Sequence, residues 1–304
     1  MKRLSAGPLF FLPLLVSCQM TSETPLEPNA RTLVRSPQGD PHAALPMSIP
    51  AVAWSRDISA PGYVDGAPIG GFGAGTITMR YDGGFYTGRL KIGNNDLTVD
   101  ASSGFHLYQK PEGQPAVTRK LDAATLGSGQ ARYSSLFPVS WTDYSGSLFT
   151  VKAKVKQFSP IIPHDYQRTS YPVGVYLWEL SNPSGTSCEV AVMLSWNNAF
   201  GGSFAEPYVS GSNKGVVLRR SGSASASSEG QGEFALASQE SAGVSVSYSS
   251  AANTSSLVSD FSADGLLSNT TGGHSKGAVA FKTTLAAHQT ITVPIVLSWD
   301  IPLA

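Results

Sequence analysis

Seven carboxyl groups stand where a turn or a strand could present them: Asp65, Asp82, Asp96, Asp165, Glu179, Glu206 and Asp300. Two carboxyl groups flanking a scissile bond are what glycoside hydrolysis requires, one as acid and one as base or nucleophile. Spacing along the chain pairs none of these seven, and acidic residues in turns are ordinarily solvated, so none is assigned a catalytic role. The five histidines, His42, His106, His164, His274 and His288, are widely separated and form no His-x-x-x-His or His/Cys cluster, so no metal site is expected. No Gly-x-Ser-x-Gly elbow precedes an acid and a histidine, which leaves a serine nucleophile without support. The segment 68–76, Pro-Ile-Gly-Gly-Phe-Gly-Ala-Gly-Thr, invites a phosphate-loop reading. After Gly71 and Gly73, however, a dinucleotide fingerprint needs glycine at position 76, where Thr76 stands, and no lysine follows at P-loop spacing. A strand pattern over residues 76–81 follows instead of a helix. The glycines then serve close backbone approach or positive φ where that strand enters a sheet, and no cofactor is expected.

Cysteine chemistry is confined to two residues, Cys18 and Cys188. Lys2 and Arg3 precede an apolar run over residues 8–16, too short to span a bilayer and suited to a signal peptide. The run ends in Leu15-Val16-Ser17-Cys18, which resembles the lipobox of bacterial lipoproteins, with Cys18 as the lipidated residue. Gln19 after it favours outer-membrane sorting in a Gram-negative source. Lipidation of Cys18 leaves Cys188 alone and excludes a disulfide framework. Cys188 opens the apolar run 188–194 and reads as a small buried hydrophobe rather than a nucleophile. The expected location is the bacterial cell envelope, reached through a lipid anchor and not through a membrane-spanning segment.

The elements that must position these groups are strands. Residues 1–18 read as signal, and residues 19–50, with six prolines and little apolar periodicity, read as a disordered tether. From residue 51 to 304 the pattern is strand after strand. Phe149, Val151, Ala153 and Val155 alternate with Thr150, Lys152, Lys154 and Lys156, a period-two strand with one wet face. Val244, Val246 and Tyr248 alternate with serines in the same way. Runs at 173–180, 190–196 and 291–299 are apolar on both faces and read as central strands, with Pro294 pointing to an edge or a bulge in the last. Turn clusters at 82–84, 182–185 and the Ser-rich 221–230 punctuate them. No helical periodicity longer than about two turns is present. The fold class is all-β, a large two-sheet antiparallel sandwich. Lysine plus arginine equal aspartate plus glutamate at 21 each, and removal of the segment ahead of Cys18, with Lys2 and Arg3, leaves a net charge of −2, so no nucleic-acid partner is expected.

Three segments together resemble a known family. The first is 68–77, leading into Arg80-Tyr81-Asp82-Gly83-Gly84-Phe85. The second runs from Phe158 through Pro163-His164-Asp165-Tyr166 and Tyr171-Pro172-Val173 to Trp178-Glu179, and on to Ser195-Trp196-Asn197-Asn198. The third is Val296-Leu297-Ser298-Trp299-Asp300-Ile301-Pro302. In this order and at these distances they are similar to the N-terminal domain of glycoside hydrolase family 116, the non-lysosomal glucosylceramidase and bacterial β-glucosidase family. The resemblance implies a supersandwich packed on a C-terminal (α/α)6 barrel that carries both catalytic carboxylates. No residue here matches either catalytic position, so the chain is expected to be inactive alone. After the acidic and aromatic pair, Tyr86-Thr87-Gly88-Arg89 departs from the Arg-Trp usual in the family. The loop 160–166 is the expected domain interface, with His164, Asp165 and Tyr166 as its candidate residues.

Three functions are compatible with this reading. One is a scaffold half that supports a barrel encoded separately. Another is a free-standing lipid-anchored module that binds a glucoside or glycan through exposed aromatics. The third, a small hydrolase, has least in its favour. A sandwich made to carry a barrel is also expected to expose an apolar docking face.

Overall fold

A computed structural model describes residues 47–62, 65–85, 88–90, 96–97, 99–199, 202–220 and 232–300, with Asp96 and Leu97 described by their backbone alone. The signal, Cys18 and nearly all of the tether lie outside the described residues, as do the Ser-rich segment 221–230 and Tyr86-Thr87. One compact unit begins at Met47.

The strands open with β1 (Trp54–Asp57), β2 (Pro68–Ile69), β3 (Ile77–Thr78), β4 (Gly88–Arg89), β5 (Asp96–Leu97) and β6 (Gly104–Pro111). There follow β7 (Val117–Lys120), β8 (Ala131–Leu136), β9 (Val139–Tyr144), β10 (Lys152–Phe158), β11 (Val173–Ser181) and β12 (Cys188–Asn197). The last six are β13 (Phe204–Ser210), β14 (Asn213–Arg219), β15 (Glu233–Gln239), β16 (Val244–Ala251), β17 (Lys276–Leu285) and β18 (Thr290–Asp300). Helices α1 (Ala123–Leu126), α2 (Tyr166–Thr169) and α3 (Thr254–Asp264) complete the described elements. Nine strands form one sheet in the order β1-β8-β9-β10-β11-β18-β15-β14-β13, and five form a second, β16-β17-β12-β6-β7. All pairings are antiparallel. This is the two-sheet architecture that the alternation of apolar and polar residues predicts.

The core lies between the two large sheets. Trp178, Tyr176, Ile295 and Leu297 from the larger sheet share one buried cluster with Phe105, Val192, Trp196 and Phe281 from the smaller. Aromatic rings dominate it: Phe105 meets Trp178 edge-on at 5.0 Å and Phe85 meets Trp196 edge-on at 4.9 Å, arrangements that suit the ring quadrupole. Trp178, Trp196 and Trp299 are all fully buried in strands. Cys188 is buried in the same cluster, and burial pushes its thiol up, which removes thiolate character.

Four details differ from the sequence reading. Helix α3 is eleven residues long, capped by Asn253, whose side chain accepts from the Ser256 N–H, and by the left-handed Gly265. Only Leu257 and Phe261 are buried on it, so its apolar stripe is too narrow to register as a helical period. Those two side chains cover Tyr108, Ala191, Met193, Ala278 and Ala280 in a second buried cluster. That cover explains why β12 is apolar on both faces. The strand expected at 76–81 is short, β3 alone, and pairs with β2 in a hairpin rather than joining a large sheet, with single bridges from Thr76 to Arg89 and from Met79 to Phe85 beside it.

Pro294 sits in β18, which is central, between β11 and β15. The β15 ladder ends at Ser238 opposite Ile295. The Pro294 carbonyl accepts from the Ser238 hydroxyl at 2.7 Å. The N and C=O of a strand residue point the same way, so the missing N–H faces the side where the ladder has stopped. Finally, the wet face of β10 is dry at its end. Lys156 is only 2% exposed, with its ammonium 5.8 Å from the rings of both Trp141 and Phe158, and burial pulls it down to about 8.

Candidate functional site

Three segments distant in sequence meet at one end of the larger sheet and enclose a cleft of about 380 Å³. The first is the tip of the β2–β3 hairpin, residues 70–76. The second is the β8–β9 turn, which holds Phe137 and Pro138 across a cis peptide bond. The third is the stretch after β10, represented by Ser159 and Ile161.

The Gly-rich tip lies where it does because its backbone is pressed against two other elements. A Cβ on Gly71 would sit 2.5 Å from the Tyr171 carbonyl oxygen, so only glycine fits. Phe72 N–H donates to the Thr169 carbonyl at 3.0 Å, and the indole N–H of Trp299 donates to the Ala74 carbonyl at 2.7 Å. Gly70, Gly73 and Gly75 have positive φ. The expected role of the glycines, close approach and positive φ, is what the backbone shows. The third segment is fixed as well: the Ser159 hydroxyl donates to the Val173 carbonyl at 2.7 Å, and Thr169 Oγ1 accepts the Ile162 N–H at 3.0 Å.

No side chain lining the cleft has an acid, a base or a nucleophilic thiol; its only side-chain hydroxyls are Thr76 and Ser159. The rim is apolar, with Phe72 59%, Phe137 69% and Ile161 37% exposed. Such a surface can bind but has nothing with which to move a proton.

The three candidate interface residues follow Ile161 in the same loop. His164 is exposed and holds φ at 66°, a left-handed conformation uncommon outside glycine. Asp165 caps α2: its carboxylate accepts the Arg168 N–H at 2.9 Å and pairs with the Arg168 guanidinium. Those backbone and side-chain bonds hold its carboxyl below the usual range. Tyr166, 77% exposed, projects from the first position of α2.

The carboxyl groups raised by the sequence are scattered. Asp82 pairs with Arg80 at 2.6 Å, Glu179 with Lys154 at 3.5 Å, and Glu206 with Arg219. Asp65 is half-buried, while the side chain of Asp96 lies outside the described residues. Asp300 is exposed at the end of β18, opposite Glu233 on β15, a residue the sequence did not single out. Burial raises the Glu233 carboxyl, with Asp300 adding to the effect and Arg219 opposing it. This charged row lies on a sheet face, and none of its members lines the cleft. Among the described residues, no group of three or more His, Cys, Asp or Glu side chains is placed to hold a metal ion. Phe137 was equally silent in the sequence, although bulky Leu136 and Phe137 at a turn, where polar residues are usual, would have marked it.

Residues 66–304 match the family model described as beta-glucosidase 2, glycosyl-hydrolase family 116 N-term. The chain belongs to this family of glycosyl-hydrolase N-terminal domains. The match takes in the Gly-rich hairpin, the β8–β9 turn and the 159–171 segment, so the whole cleft is built within the family 116 N-terminal domain. Solved structures similar to it include a putative kojibiose phosphorylase from the human microbiome, at 8% identity and a TM-score of 0.41. That similarity covers 77% of this chain and 29% of the other. Another is a GH36 α-galactosidase variant, AgaA, from Geobacillus stearothermophilus, at 8% identity and a TM-score of 0.28, covering 70% and 31%. The family 116 domain thus spans under a third of the length of either protein.

Proposed function

We propose that this chain is the non-catalytic β-sandwich of a β-glucosidase- or glucosylceramidase-like glycoside hydrolase. In this reading it supports a catalytic (α/α)6 barrel, and a lipid anchor at Cys18 holds it at the bacterial cell envelope. The observation that carries the reading is the cleft. It is a built concavity within the family 116 N-terminal domain, and its lining lacks any carboxyl group. Glycoside hydrolysis needs two.

A free-standing glycan-binding module is the second reading, favoured by the exposed rings of Phe72, Phe137 and Tyr166. Sugar sites combine a ring platform with several convergent polar groups. Here the Ser159 hydroxyl is already committed to Val173, which leaves the platform without that complement.

The purified chain is expected to show no turnover of an aryl β-glucoside above buffer. Steady turnover that survives further purification would overturn the non-catalytic reading. Retardation of the chain by a β-glucan in affinity electrophoresis, lost on Phe137→Ala, would establish the module in its place.

A further inference from the structure

Antiparallel partners share a face, so the registers of the larger sheet assign each side chain to the core or to the outside. Trp141, Lys156 and Leu177 stand abreast on the outside. Val175, Val296 and Ala237 form the next row, and Ser298, Ala235 and Val217 the one after. These rows make a band across the six strands from β9 to β14. Trp141 is 4% exposed, and Lys156, Ala235, Ala237 and Val217 are buried with it, yet none of the four apolar ones belongs to either core cluster. A lysine or a tryptophan on an open sheet face keeps much of its surface in water, so this face is covered. Helices α1 and α3 pack on the smaller sheet, and the β2–β3 hairpin meets the larger one at its end, beside Tyr171 and Trp299. The band also holds a donor in want of an acceptor: the indole N–H of Trp141 is buried and unpaired, a costly state that a ligand carbonyl would relieve.

Length, composition and point of attachment select the occupant. Two long stretches of this chain lie outside the described residues, the one before Met47 and 221–231. The second joins β14 to β15 at the far end of the band and has no apolar side chain larger than alanine. The first carries Leu33, Val34 and Leu45 among Pro37, Pro41 and Pro46. It leads into β1, the edge strand, which pairs with β8 beside β9 and so delivers the chain to the Trp141 end of the band. Six strands span about 24 Å at about 4.8 Å per neighbour, a distance that about eight extended residues cover. Residues 33–46 are therefore long enough to cross it. A Pro-rich chain suits such a face, because its extended conformation is largely preformed and its carbonyls are left free for aromatic-lined grooves to bind.

We infer that residues 33–46 lie extended across the outer face of the nine-stranded sheet as a strap, running from β9 toward β14, with one strap carbonyl accepting the Trp141 indole N–H. The part of the expected tether nearest the sandwich is then bound to it, and residues 19–32 alone remain to reach an anchor. The inference stands apart from the proposed function, since the strap belongs to this chain and needs no barrel.

The test labels the lysines of the full chain with acetic anhydride and reads each site by mass spectrometry, with exposed Lys110 as the reference. In wild type Lys156 is expected to react at least about tenfold more slowly than Lys110. A triple variant, Leu33→Asp with Val34→Asp and Leu45→Asp, changes only residues outside the sandwich and should keep its circular dichroism. In it Lys156 should react at close to the Lys110 rate. The strap has a readout of its own in tryptic cleavage after Arg35, which the triple variant should accelerate by at least about tenfold. Trp141→Phe keeps a ring and removes the donor, and it should speed the same cleavage; unchanged cleavage there overturns the assigned bond. Rapid labelling of Lys156 in wild type overturns the cover. Equal protection of Lys156 in wild type and the triple variant overturns the strap as its source. Protection that disappears on dilution as a dimer dissociates assigns the face to a second copy of the chain and overturns the inference as well.

Discussion

His106 shows how far one buried side chain can tie the fold to pH. It lies on β6 beside Tyr108, opposite Lys120 on β7 and Met193 on β12, and only 4% of it is exposed. Burial, aided by the positive charge of Lys120 and opposed by Asp122, pulls its pKa from 6.5 down to about 4. The unfolded chain therefore binds a proton between pH 6.5 and 4 that the folded chain refuses. Stability is present in full above the unfolded value and is lost as pH falls through this window. Between pH 7 and pH 5 the loss attributable to His106 is about 2 kcal/mol. Urea titrations of wild type and His106→Gln at both pH values check this: the variant should lose less stability by about that amount. Equal losses in the two proteins would refute it. At this scale the sequence was legible where burial follows from the residue's own type, as for Cys188 and the three core tryptophans. It was silent where burial is imposed by neighbours. Lys156 is enclosed by Trp141 on the adjacent strand, fifteen positions away, and nothing in the alternation of β10 announces that.

Elements were legible in proportion to how much of their pattern is local. The alternation over residues 149–156 marks a strand whose observed start is Lys152; Phe149 and Val151 are buried ahead of it, and Ala153 and Val155 face the core from β10. Helix α3 carries only Leu257 and Phe261 as buried residues, and its identity resides in its ends, Asn253 and Gly265, rather than in its middle. Since an eleven-residue helix is marginal on its own, the cap matters. The Asn253 side chain accepts the Ser256 N–H at 2.8 Å and also the hydroxyls of Ser255 and Ser256. Asn253→Ala should cost about 1 kcal/mol. Because α3 shields the outer face of β12 and β17, the loss should appear first as faster hydrogen exchange in α3 and at Ala191 and Ala280 beneath it. Exchange unchanged at those amides would mean that Leu257 and Phe261 hold the helix without its cap. The cleft was the least legible element of all. Its walls come from residues near 72, 137 and 160, and only the folded sheet, which sets β8–β9 beside β10–β11, brings them together.

For the whole molecule the proposed anchor and the proposed strap constrain each other. A single acyl chain holds a protein to a bilayer only marginally, at about 0.8 kcal/mol per buried CH₂, whereas several chains on one cysteine hold it firmly. If residues 19–50 serve as the tether proposed with that anchor, they would reach at most about 100–115 Å when fully extended, and far less on average. With residues 33–46 held on the sheet the reach is shorter still, and any barrel that the sandwich supports would work closer to the membrane. Cys18→Ser removes the acyl attachment without touching the sandwich, so the variant should move from the membrane fraction to the soluble fraction while keeping the wild-type melting temperature. Co-expressed barrel should move with it, carrying its aryl β-glucosidase activity into the soluble fraction. If the variant stays in the membrane fraction, Cys18 is not the anchor. If the chain is released and the activity stays behind, the barrel reaches the membrane by a contact of its own, and the sandwich is not what brings it there.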